Sequence, residues 1–96
     1  MSIKVIYKFE LKPLVTTVDI PKDARVLTVQ TQQNKPYIWV IVDADNPTVR
    51  RKFTVQMTGV FFDVSGLRYI GTFQVDEGSF VGHVYEIIEQ EIGERG

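Results

Sequence analysis

"PYIWVIVDADNPTVRRKF", residues 36–53, is the stretch whose reading decides the fold. Apolar residues run unbroken from Tyr37 to Val42, between a proline and an aspartate. So short a run, bounded by turn residues, reads as a strand near the centre of a sheet. Asp43, Asn46 and Pro47 supply the next turn, because Asp and Asn bond local backbone and proline fixes φ. From Val49 the chain passes through Arg50, Arg51 and Lys52 into a further strand. Two strands on either side of one turn are expected to pair as a hairpin.

Directly opposed residues of an antiparallel pair share a face. With Asp43 opposite Arg51, Ile41 meets Phe53, Trp39 meets Val55 and Tyr37 meets Met57. Arg51 then keeps its head near Asp43, where the charges pair. Ile38, Val40 and Val42 are left on the second face and need cover from another sheet layer or a partner chain, which is the case for a homo-oligomer. A slip of one residue sends every side chain to the other face. Tyr37 and Trp39 would then stand beside Arg50 and Lys52, a stacking platform with phosphate anchors for a small anionic, nucleotide-like ligand. Burial of large apolar side chains, each worth about 1.5–3 kcal/mol, favours the first register.

Period-two alternation extends outward from this stretch. Ile3, Val5, Tyr7, Phe9 and Leu11 share the dry parity of a first strand. Residues 14–20 and 25–33 read as the second and third, the latter with Leu27 and Val29 on its dry side. Residues 67–75 and 79–88 read as the sixth and seventh, and Gly71 marks a bulge or a point of close approach. Between the fifth and sixth, Gly59 and Gly66 bound a loop carrying Phe61 and Phe62. One phenylalanine is expected to anchor in the core and the other to make a subunit contact. No helix-period segment stands out. About seven short strands predict an all-β, mainly antiparallel fold, a small sandwich or barrel with little or no helix. Residues 1–88 form that domain, and "EQEIGERG" (89–96) is an acidic tail.

Ninety-six residues are enough for one core. No stretch approaches the ~20 apolar residues of a membrane-spanning helix, and the N-terminus lacks a secretory layout. Cysteine is absent, which fits a reducing cytoplasm. The tail carries Glu89, Glu91 and Glu94 against Arg95, so it supplies −2 of a formal charge of −1 and leaves about +1 on the rest. That is too little for general nucleic-acid binding, which relies on a strongly basic face.

His83 is the single histidine. Ser79 lies about 13 Å away along the same strand, too far for a serine–histidine pair. The plain reading is a hydrogen-bonded structural histidine; the functional ones are ligand contact, or a small hydrolase pairing His83 with Glu86 or Asp43. Asp43 and Asp45 are too few oxygens for calcium, and one histidine without cysteine makes no zinc set. No phosphate-loop pattern occurs, so no metal or cofactor is expected. Arg50 and Lys52 share a strand face, and Arg51 points away from both.

The stretches "IPKDARVLTVQTQ" (20–32), "YIWVIVDADNPTVRRKF" (37–53), "TG" (58–59), "YIGTFQV" (69–75) and "HVYEI" (83–87) resemble small uncharacterised proteins of bacteriophages, prophages and plasmids. None is a mechanistic motif. The resemblance implies an accessory protein in the cytoplasm of a bacterial host cell. In that setting a short oligomeric β domain works by occupancy, countering host immunity by sequestering a nucleotide-derived signal or blocking a host protein. A structural or assembly role in a phage particle is the alternative. For a nucleotide, Tyr37 or Trp39 would stack on the base, Arg50, Arg51 or Lys52 would hold phosphate, and His83 would add a hydrogen bond. The loop "VFFDVSG" (60–66) and the tail depart from the resemblance, so no partner contact is carried over to them.

Overall fold

The computed structural model describes residues 2–88, and the acidic tail lies outside the described residues. Seven strands follow one another: β1 (Val5–Glu10), β2 (Val15–Pro21), β3 (Arg25–Gln32), β4 (Lys35–Val42), β5 (Thr48–Met57), β6 (Leu67–Val75) and β7 (Phe80–Ile87). One helical turn, Asp76–Gly78, joins the last two. The strands make two antiparallel sheets, ordered β1-β4-β3 and β2-β5-β7-β6. The fold is all-β, an open sandwich rather than a closed barrel.

β4 and β5 do not form a hairpin, which corrects both registers drawn for them above. β4 pairs with β1 and β3, whereas β5 pairs with β2 and β7. The turn between them is a bridge from layer to layer. Asn46 Nδ2 donates to the Lys22 carbonyl at 2.8 Å, and Lys22 N–H donates to the Pro47 carbonyl at the same distance. These bonds hold the 43–47 turn against the one after β2, so β5 starts beside Ile20 (Ile20↔Val49). The physical reason is the double-sided apolarity of β4. A strand apolar on both faces gains most with a neighbour on each edge and a layer over it.

That layer is the second sheet. Ile38, Val40 and Val42 are fully buried in one cluster with Ile20, Phe53 and Val84. Their cover comes from the same chain. The outer side of β4 carries Tyr37, Trp39 and Ile41, all half-buried.

The layers meet most closely where β3 runs beside β6. Gly71 sits at a register break of β6, and a Cβ there would lie 2.9 Å from Val29 Cγ2. Bulge and close approach thus occur together. In β3 a second bulge, between Val26 and Thr28, overturns the expected dry side. Val26 and Val29 pack toward the core, and Leu27 is turned out to solvent. At one end of the sandwich Asn34 clamps the β6–β7 turn, donating to Asp76 Oδ1 at 2.7 Å and accepting from the Asp76 N–H at 2.8 Å.

Gly82 of β7 makes room for a ring. A Cβ on it would stand 2.6 Å from Phe73 Cζ and 2.9 Å from Val55 Cγ1. Phe73 is buried, so it must shift within the core to admit the Cβ. Gly82→Ala is expected to cost about 1–3 kcal/mol through overpacking, measured as a lower midpoint in urea; an unchanged midpoint would mean that Phe73 has space to move aside.

Candidate binding surfaces

Adjacent residues of a strand project to opposite faces, and this disperses the run Arg50-Arg51-Lys52. Arg51 points into the sandwich. Its Nε and Nη2 donate to the two carboxylate oxygens of Glu86 at 2.7 and 2.8 Å, and its Nη1 donates to the Ala24 carbonyl at 2.8 Å. Arg68 Nη2 adds a third bond to Glu86 at 3.2 Å. Arg51 is therefore paired with Glu86 and not with Asp43, because β5 lies beside β7 rather than β4. Asp43 instead accepts from the Asp45 N–H and closes its own turn.

Glu86 is only 5% exposed. Burial pushes its carboxyl up, but the bonds and charges of Arg51 and Arg68 outweigh this and hold it below the ordinary glutamate value of 4.5. The same bidentate bond raises Arg51. Arg51 and Glu86 are interior scaffolding, and Arg68 reaches them from the surface with its own side chain 61% exposed.

Tyr37 and Trp39 are brought together on the outer face of the first sheet, ring centroids 6.4 Å apart at 52°. The registers place Lys8 opposite Trp39 and Glu10 opposite Tyr37. Lys8 Nζ lies over both rings, 4.6 Å from the Tyr37 centroid and 5.4 Å from that of Trp39, and it also bonds Gln32. The rings are thus occupied by a cation of their own chain. The Trp39 indole N–H is covered and finds no acceptor among the described residues.

His83, Arg50 and Lys52 belong to the outer face of the other sheet. Thr58 Oγ1 lies 2.6 Å from His83 Nε2 and Thr72 Oγ1 lies 2.9 Å from Nδ1; the Tyr69 hydroxyl continues the chain at 2.6 Å from Thr72 Oγ1. Both ring nitrogens are engaged by hydroxyls. The acids suggested for a hydrolase lie elsewhere: Glu86 on the opposite face of β7, Asp43 at the end of β4. Arg50 meets Asp19 across the strands at 3.4 Å.

Since β7 lies between β5 and β6, residues 58–66 must cross it, and they do so over the outer face. Gly59 (φ 89°) and Gly66 (φ 73°) provide the left-handed corners of this strap. Phe62 packs on Tyr85 with centroids 5.4 Å apart, and Tyr69 meets Tyr85 at 5.5 Å. Phe61 is fully exposed, with Val60 and Val64 open beside it. Phe62 is the anchor of the pair, although on a sheet surface and not in the core.

The six candidate ligand residues fall on three surfaces: Tyr37 and Trp39 on one sheet, Arg50, Lys52 and His83 on the other, and Arg51 between them. Lys8 and Tyr85 were missed, because strand order decides their neighbours and no local signal carries it. A further feature, an apolar cleft of about 420 Å³, opens at the Asn34 end between Leu11, Leu14, Val55, Met57, Phe73 and Phe80. Glu10, Lys12 and Asn34 are the polar residues of its lining.

The lowered Glu86 value has a sign. A carboxylate depressed by folding contributes stability above its unfolded value, here near 4.5, and loses it as pH falls through the lower folded value. Stability measured by denaturant titration at a series of pH values should therefore drop below about that point, and Glu86→Gln should flatten the drop. Arg51→Met at neutral pH should cost about 3 kcal/mol, the low end for a broken buried pair because Arg68 remains; a variant as stable as the parent would contradict the triad's role.

No curated protein and no solved structure matches this chain. A family model described as a domain of unknown function (DUF7352) matches residues 2–94, and with nearly its whole length covered the chain belongs to the DUF7352 family.

Proposed function

We propose that the chain is a non-enzymatic accessory binding protein of a phage-type element, acting in the bacterial cytoplasm by docking on a host protein and blocking it. The observation that carries this reading is the strap over β7, where Phe61 is fully exposed and Val60, Phe62, Val64 and Tyr69 extend the apolar area around it. An exposed apolar patch with a polar rim is the usual form of a protein contact. On the same outer face stand the polar residues Thr58, Thr72 and Gln74. The phage and host setting rests on the sequence resemblance alone.

Sequestration of a nucleotide has less support, because the ring pair and the cations chosen for it stand on different sheets and Lys8 already covers the rings. A second reading, an assembly component of a phage particle, is favoured by a separate exposed apolar region on β1, where Val5, Ile6 and Tyr7 are open. Mass spectrometry of purified particles separates the two, since an assembly component is retained and a counter-defence protein is largely absent.

Phe61→Asp tests the main reading. The fold should be unaffected, and affinity for a captured host partner should fall about tenfold or more, the scale of an aromatic contact residue. The effect in a phage-protection assay should be lost in parallel. Equal capture and equal protection by the variant would remove the strap from the account.

A further inference from the structure

Sheet edges expose unpaired backbone groups, and proteins blunt them with prolines, bulges or lysines. β3 and β6 cover one another, which leaves β1 and β2 as the open edges among the described residues. β2 ends in Pro21 and presents Thr17 and Asp19. β1 has neither proline nor bulge. Its register with β4 is unbroken over six residues, and its lysine, Lys8, is folded away onto Tyr37, Trp39 and Gln32. Apolar side chains stand open on both of its faces: Val5 and Tyr7 on the inner, Ile6 on the outer.

We propose that β1 pairs antiparallel with β1 of a second copy, joining the two three-stranded sheets into one of six. The charge pattern selects this partner and the register. A two-fold axis normal to the sheet keeps faces matched, so it must pass through a residue. Centred on Ile6, the pairing sets Lys4 against Lys8 of the second copy, twice. Centred on Lys8, it sets two lysines face to face. Centred on Phe9, it opposes Lys8 and Glu10 but overlaps only three residues of the strand. Centred on Tyr7, it sets Lys4, just before the strand, against Glu10, Val5 against Phe9, Ile6 against the stem of Lys8, and Tyr7 against itself. Opposite charges then meet at both ends and apolar groups meet between them. The present partner of Glu10 is Lys12 at 3.5 Å, an exposed pair that competes weakly. The inference is independent of the strap, which lies on the other sheet.

Sedimentation equilibrium of the whole chain provides the test. The parent is expected to show a dimer mass that dissociates on dilution. Lys4→Glu and Glu10→Lys, each placing like charges at both ends, should each weaken the dimer about tenfold, and the double variant should return to within about threefold of the parent. Amide exchange offers a second readout, because outward N–H groups of β1 should gain protection as concentration rises. A parent that stays monomeric at every concentration, single variants that dimerise like the parent, or a double variant that is not rescued would overturn the proposal.

Discussion

Burial of Ile38, Val40 and Val42 against Ile20, Phe53 and Val84 is the constraint from which the rest of the structure follows. Six large side chains removed from water, at about 1.5–3 kcal/mol each, outweigh what a local hairpin between β4 and β5 would gain. The chain therefore crosses to a second layer after Val42. That crossing determines which residues meet on each surface. It puts Lys8 over Tyr37 and Trp39, and it leaves Arg50 and Lys52 on the far side of the molecule. The separation of rings from cations is thus a consequence of core packing.

β7 is the second organising element, because its two faces carry different chemistry. Gly82, Val84 and Glu86 look inward, and their burial demands a clearance for Phe73 and two guanidinium partners for a carboxylate. His83 and Tyr85 look outward and receive the strap. The ion triad fixes the neighbours of β7, and the strap can then cross it with Phe62 seated and Phe61 free. In this way an interior electrostatic arrangement supports an apolar exterior surface.

Much of the fold was legible because alternation is a local signal. All seven strands lie within two residues of where period-two patterning puts them, and residues 67–75 coincide with β6. Gly71 was readable as a bulge because glycine within a strand marks a place where backbones approach. Strand order was not legible. Pairing of β1 with β4, or of β5 with β7, depends on contacts between residues distant in sequence, and the turn at 43–47 looks alike whether it closes a hairpin or bridges two layers. The same gap hid the partner of Arg51 and the cation over Trp39. Leu27 was misread because a single extra residue reverses parity, and nothing in "RVLTVQTQ" announces it. For the candidate surface, the Phe61-Phe62 doublet in a glycine-bounded loop made one outward ring legible, but not which of the two, because that depends on Phe62 meeting Tyr85 of a distant strand.

The separation of β4 from β5 is tested most directly by nuclear Overhauser contacts in the labelled protein. Cross-strand contacts are predicted between Lys8 and Trp39, between Val18 and Arg51, and between Val55 and Val84. Backbone contacts linking Trp39 with Val55 or Gln56 would restore the hairpin and contradict the two-layer arrangement on which the surfaces depend.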